Sequence, residues 1–371
     1  MPVQRESKPT TRSSTFVPPY PPSWFNRFTA WVDRLPGPAW AIYLIFTAGV
    51  VLAGTAIQWM EGAYDVGTFN LLHVWDLGSF VYLFALMHYL DKSAASAFER
   101  FRPLLTSENS EVRPPIQDKP EIDELSYCLT TMRPRPTIIV TLAGVAFGIV
   151  WLLSESTSGM FAGPLAGAAD TTLSIASILV LLVVGLAMSF VLLYHTIHQL
   201  ALVSRIYTQY ARISIYNLQP LYALSLPGAF TGIGLILFTY IWTFTGPSQV
   251  LGPVEIGLSL VFVLIAGATF VLPLLGAHRR LVAEKGRRLA ETSSLFDTTT
   301  TQLHHELHRG SLDQMDQLNR ALASLEIEQN VLRRIPTWPW RAEALRSLVA
   351  AVLLPLAVWA IQLLLGRFIG T

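Results

Sequence analysis

The chain of 371 residues is short of charge and nearly without cysteine. Asp, Glu, Lys and Arg make up 14% of it, where a soluble domain carries about 25%. With 52% hydrophobic residues and a mean hydropathy of +0.44, that shortage excludes an ordinary soluble enzyme. It also excludes a disordered chain, which needs low hydrophobicity and high charge. The single cysteine, Cys128, excludes an intrachain disulfide and any metal site built from several thiolates. A net charge of +1 gives no footprint for nucleic acid, and none is expected as a partner. Nucleophile-elbow, P-loop and dinucleotide-binding patterns are absent, so no enzyme class, catalytic residue or cofactor is indicated.

Lysine and arginine are missing over two long stretches, between Arg135 and Arg205 and between Arg212 and Arg279. Lipid explains such gaps, because a Lys or Arg at mid-helix costs about 2.5–3.5 kcal/mol on insertion scales. Continuous apolar runs near the length of about 20 residues that a spanning helix needs recur seven times, over 39–60, 71–90, 137–154, 172–203, 221–245, 254–276 and 348–365. A membrane barrel would instead show segments of about 10 alternating residues. The first run starts too far into the chain, and is too long, for a cleaved signal peptide.

Seven spans put every Lys and Arg except Arg367 on one side, which the positive-inside rule makes cytoplasmic. The expected fold is therefore an all-α, polytopic membrane protein with seven transmembrane helices, N-terminus inside and C-terminus outside. Residues 1–22 read as a disordered tail rich in Pro, Ser and Thr. Residues 23–36 read as a short amphipathic helix with Ser23 as N-cap, and Trp24, Phe28, Trp31 and Leu35 at helical spacing. Such a helix lies in the headgroup region or packs on the ends of the spans. Residues 37–276 hold six spans. The segment 91–136 between the second and third is expected to be a loop with one or two short helices and no core of its own.

Residues 277–345 form the main soluble element. Leu289, Phe296 and Leu303 recur every seven residues, and Met315, Leu318, Leu322, Leu325 and Leu332 follow with Gln329 in the same seam. Gly310 and the Ser311-x-x-Gln314 capping pattern separate the two runs. This predicts a cytoplasmic antiparallel helical hairpin. It ends at a Pro/Trp segment whose Trp338 and Trp340 suit the membrane interface. Residues 346–371 hold the seventh span and the outer C-terminus.

Few residues in the spans carry chemistry. Asp76, with His73 one turn before it, is the carboxylate placed inside a span, so it is a candidate polar membrane site; a wet outer interface is the alternative. Outer acids Glu61, Asp65, Glu155, Asp170 and Glu255 give an acidic outer face. In the fifth span Thr231, Thr239 and Thr243 share one face, near Gly228, Gly232 and Gly234. They read as a hydroxyl-lined path or as close helix packing. Gly144 and Gly148 form a GxxxG packing motif. Gln362 is the lone amide of the seventh span, facing a conduit or a neighbouring helix. His304-His305-Glu306-Leu307-His308 fails the zincin pattern because its Glu is displaced by one, so no metal is expected. His195 and His198 read as interface packing.

The stretch Arg333-Arg334-Ile335-Pro336-Thr337-Trp338-Pro339-Trp340, with the helices beside it, resembles uncharacterised prokaryotic multi-pass membrane proteins over the last quarter of the chain. The overall plan is similar in topology to insect odorant and gustatory receptors, which are tetrameric cation channels. That resemblance implies a homo-oligomer whose last span lines a pore. Their last span carries a Tyr and a Gln-Phe pair, whereas Gln362 is followed here by Leu363 and no tyrosine is present. The resulting expectation is an oligomeric ion channel, assembled or gated through the hairpin. A non-conducting sensor or scaffold that binds a cytoplasmic protein partner at 277–335, and a monomeric transporter, are the alternatives.

Overall fold

The computed structural model describes residues 16–62, 64–69, 71–106, 119–158, 172–210, 215, 218–245, 253–309 and 315–353. All regular structure among them is helical. In chain order the helices are α1 (Trp24–Val32), α2 (Ala39–Met60), α3 (Leu71–Phe101), α4 (Pro103–Thr106), α5 (Lys119–Thr130) and α6 (Pro134–Ser158). They continue with α7 (Thr172–Arg205), α8 (Gln219–Ala223), α9 (Leu226–Thr245), α10 (Pro253–Val271), α11 (Leu275–Arg309) and α12 (Met315–Arg334). The last helix among the described residues, α13, covers 342–353 of them.

Among the described residues, four helices are long and apolar enough to cross a membrane: Ala39–Met60, Glu121–Trp151, Leu179–Tyr210 and Gln219–Thr239. The expected seven spans exceed these four. The described part of α3 carries His88, Asp91 and Lys92, and the stretch expected to form the seventh span runs past residue 353. The outward faces of these helices are apolar, unlike those of a water-soluble bundle. Trp40 is 70% exposed, and Ile45, Ile139, Leu142, Leu193, Ile197 and Leu264 also face outward from their helices. Apolar surface of this extent suits lipid rather than water.

Outside the hairpin, the most polar of the long helices is the central one. α3 packs against α2, α7 and α9 together. Leu77, Val81, Leu83, Met87 and Leu90 fill the interior around it. A central position shields its polar groups from lipid, where they would be costly. Small residues set the close helix approaches. A Cβ on Gly144 would lie 2.6 Å from the Cα of Ala187, so α6 and α7 meet almost backbone to backbone. A Cβ on Gly232 would lie 2.9 Å from the Ala266 carbonyl of α10 and 3.0 Å from Leu348 of α13. These contacts are the packing role of the glycine motifs.

The segment after Leu90 holds two short helices, α4 and α5, as expected, but it opens as helix and not as loop. α3 continues for a further eleven residues, because Ala94, Ala97, Phe98 and Phe101 keep one apolar face on the bundle. Asp91 and Lys92 mark a change of surroundings but do not break a helix. With Leu104, Leu105, Ile122, Leu125 and Leu129 this region builds a buried cluster that joins α3, α5, α7, α9 and α10. α7 is 34 residues long, or about 51 Å at 1.5 Å per residue, well beyond a hydrocarbon core of about 30 Å. It closes in a π-helical turn, Ile206–Tyr210, in which the buried Tyr207 hydroxyl donates to the Leu221 carbonyl.

α11 and α12 form the expected hairpin. Pro273 turns the end of α10 into a 3₁₀ step, Leu272–Leu274, from which α11 proceeds. Leu281 and Leu332 are buried, and Gln329 Nε2 donates to Ser293 Oγ across the seam. Lys285 Nζ donates to the carbonyls of Arg333 and Ile335, closing the base of the hairpin. Gly310 and the Ser311–Gln314 pattern lie outside the described residues.

Candidate functional site

α1 docks on the bundle at the end formed by the start of α2, the end of α5, the start of α6 and the middle of α3. Ser23 is its N-cap: Asn26 N–H donates to Ser23 Oγ at 3.2 Å. Phe25, Thr29 and Val32 are buried, so the docked face sits one residue along from the Trp24/Phe28/Trp31 stripe. Asn26 acts as a clip. Its Nδ2 donates to the Thr130 carbonyl at 3.0 Å, and its Oδ1 accepts from Met132 N–H at 2.9 Å. Two backbone groups at the end of α5 thereby find partners that the helix could not supply.

Beside this clip opens a pocket of about 610 Å³. Arg27, Asp33, Arg34, His88, Asp91 and Lys92 line it. From it a hydrogen-bonded chain leads inward. Lys92 Nζ donates to Asp33 Oδ1 at 2.5 Å. Asp33 Oδ2 lies 3.1 Å from His88 Nε2, and His88 Nδ1 lies 3.0 Å from the Tyr43 hydroxyl. The outer two groups are about half-exposed, while the His88 side chain is 4% exposed and Tyr43 is buried. Burial by itself would raise the Asp33 carboxyl. The Lys92 ammonium and the His88 imidazole outweigh it and hold that carboxyl below its ordinary value.

A second acid–histidine pair lies one turn further along α3. Asp91 Oδ1 is 2.8 Å from His195 Nε2, and Asp91 Oδ2 is 3.5 Å from Asn26 Nδ2. His195 is buried, as is Gln199 one turn further along α7. His195 Nδ1 and both amide atoms of Gln199 have no hydrogen-bond partner among the described residues. Buried polar atoms of this kind are ordinarily met by ordered water. His198 Nε2 lies 3.0 Å from the Cys128 carbonyl. Asp91, Thr131, His195, Thr196 and Gln199 thus form a buried polar layer between the two apolar clusters of the bundle.

The residues singled out in the sequence are scattered. His73 and Asp76 fall in the first turns of α3, and their side chains lie outside the described residues. Thr239 is buried in α9, and its hydroxyl donates to the Leu235 carbonyl at 2.9 Å. Thr231 is bonded to the Pro227 carbonyl in the same way. The side chains of Thr243, Glu155 and Glu255, and the residues Asp170 and Gln362, lie outside the described residues. Trp24 is half-buried, with Nε1 donating to Thr141 Oγ1 at 3.2 Å, whereas Trp31 is 53% exposed. Trp338 and Trp340 stack on each other at 4.3 Å. Among the described residues no group of three or more His, Cys, Asp or Glu could hold a metal.

Sequence reasoning did not find the Tyr43–His88–Asp33 chain or the Asp91–His195 pair. The one available signal was the His88-x-x-Asp91 spacing at the inner end of the second apolar run. No family model, curated protein or solved structure matches the chain. The resemblances drawn from the sequence rest on their own residues.

Proposed function

We propose that the chain is a seven-span membrane protein, N-terminus cytoplasmic, whose copies assemble through the α11–α12 hairpin and conduct ions along a path lined by the seventh span. The hairpin is the observation that carries this reading. It is a charged helical pair, yet Leu295 and Ile327 on it are 57% and 65% exposed, and Val331 is open as well. Large apolar side chains left open on a solvated hairpin suit burial against another copy. The seam leucines Leu318, Leu322 and Leu325 are only half-buried between the two helices. Further helices packed beside them would complete that burial.

The basic residues support the orientation, since all but Arg367 fall on one side of seven spans. The contact of Leu348 with Gly232 supports placing the seventh span beside the fifth. A second reading draws on the same open side chains: a non-conducting scaffold whose hairpin docks a cytoplasmic protein. Bilayer recordings of the full-length protein separate the two. Ion currents that change in conductance or selectivity with Gln362→Leu are expected. Identical currents would remove Gln362 from the path, and a silent protein would favour the scaffold.

A further inference from the structure

The pocket beside α1 carries two charges that the fold leaves open. Of the groups lining it, Lys92 and His88 are both engaged by Asp33, and Asp91 is held by His195. Arg27 and Arg34 remain. Both are exposed on the pocket wall, and neither guanidinium enters a hydrogen bond or ion pair among the described residues. Three basic against two acidic side chains leave the lining positive. A guanidinium presents its N–H donors in a planar fork that matches a phosphate group. A cavity of about 610 Å³ has room for that phosphate and the small polar group it carries.

The depth of the pocket in the molecule says which phosphate. Arg27 and Trp31 lie one turn apart on α1, and Arg34 follows in the next turn, its N–H donating to the Trp31 carbonyl at 3.0 Å. An exposed indole thus stands between the two arginines in the helical course. α2, one of the four candidate spans, starts at Ala39, and its exposed apolar surface opens with Trp40, six residues after Arg34. Indoles favour the headgroup level of a bilayer, and arginines at the end of a span extend to the same level.

We propose that this pocket binds the phosphate of an anionic phospholipid headgroup through Arg27 and Arg34. The proposal does not depend on ion conduction. The orientation given above puts the pocket at the cytoplasmic leaflet, where anionic lipids attract basic side chains. A headgroup seated there lies between α1 and α3, which together form the pocket walls.

The test uses full-length protein stripped of lipid in a neutral detergent. Short-chain phosphatidylglycerol, phosphatidylcholine of the same chain length, and soluble glycerol 3-phosphate are titrated separately, and bound molecules are counted by native mass spectrometry. Wild type should bind phosphatidylglycerol about tenfold or more tightly than phosphatidylcholine. The double variant Arg27→Gln, Arg34→Gln should weaken phosphatidylglycerol about tenfold or more and leave phosphatidylcholine unchanged. Arg100→Gln with Arg135→Gln removes the same charge from exposed arginines outside the pocket and should have little effect. Ala30→Phe keeps every charge but fills the pocket from its wall, so it should weaken phosphatidylglycerol too; it also serves if the arginine variant fails to fold. Equal binding of the two lipids by wild type would overturn the assignment, as would unchanged phosphatidylglycerol binding in the Arg27/Arg34 variant. An Ala30→Phe variant that binds like wild type would move the headgroup out of the pocket, and an equal loss in the Arg100/Arg135 variant would reduce it to general surface charge; either result overturns the site. Glycerol 3-phosphate bound as tightly as the lipid would overturn the lipid as occupant in favour of a soluble phosphate.

Discussion

Asp91 and His195 meet at 2.8 Å, from helices whose contact closes 104 residues of chain. His195 is 2% exposed and Asp91 9%, so each depends largely on the other for its hydrogen bonding. Removing one partner of a buried pair typically costs about 3–5 kcal/mol, because the other is left charged or unsatisfied. Asp91→Ala and His195→Ala should therefore each destabilise the protein strongly. The double variant should cost clearly less than the two single losses together. Chemical unfolding in detergent micelles, followed by tryptophan fluorescence, measures this coupling. Additive losses would mean that the contact carries no energy of its own.

The pH response of the α1 dock follows from Asp33. Its carboxyl is held below its ordinary value by Lys92 and His88 against the opposing effect of burial. A carboxyl lowered in the fold adds stability above its unfolded value, about 3.9. That contribution is lost as pH falls through the still lower folded value. The dock should therefore loosen in acid below about pH 4. Asp33→Asn should remove this part of the acid limb. Limited proteolysis within residues 33–38 across pH 3–7 reads it out.

Close approach at Gly144 predicts a second contrast. Gly144→Ala places a methyl 2.6 Å from the Ala187 Cα, which can yield only by moving a helix. Gly49→Ala meets nothing within 4 Å. The first substitution should cost about 1–3 kcal/mol, in the range of overpacked cores. The second should be neutral, or favourable by about 0.5–1 kcal/mol from helix propensity. Thermal unfolding of the two variants in the same detergent distinguishes them. Equal midpoints would show that α6 and α7 do not pack as described.

At the base of the hairpin four rings stack in sequence. Phe270 lies on Trp340 at 5.4 Å, Trp340 on Trp338 at 4.3 Å, and Trp338 on His278 at 4.0 Å. His278 Nδ1 also lies 3.0 Å from the Thr337 carbonyl. The stack ties the end of α10 and the start of α11 to the Pro/Trp segment. Each aromatic pair is worth about 0.5–1.5 kcal/mol beyond its buried area. Trp338→Ala should accordingly raise hydrogen exchange in the first turns of α11 and leave α6 and α7 unchanged. Unchanged exchange in α11 would show that the stack does not hold the hairpin.

Much of this architecture was legible in the sequence, for a physical reason. The apolar runs at 39–60, 137–154, 172–203 and 221–245, the Ser23 cap and the heptad seam of α11 and α12 are local patterns, and the corresponding helices follow them. The continuation of α3 to Phe101 was missed because Asp91-Lys92 reads as the end of a span. Charge ends a span in lipid, but the apolar face of Ala94, Ala97 and Phe98 keeps the helix going. The candidate site was not legible. Tyr43 and His88 are 45 residues apart, Asp33 and His88 are 55, and Asn26 reaches the Met132 amide across 106. No periodicity within one element records such pairings.

Native mass of the full-length protein in lipid nanodiscs tests the central claim most directly. The account predicts a defined assembly of three or more copies, shifted toward smaller species by Ile327→Glu and Leu295→Glu on the hairpin. A strict monomer, unchanged by those substitutions, would contradict assembly through the hairpin and the ion path between copies.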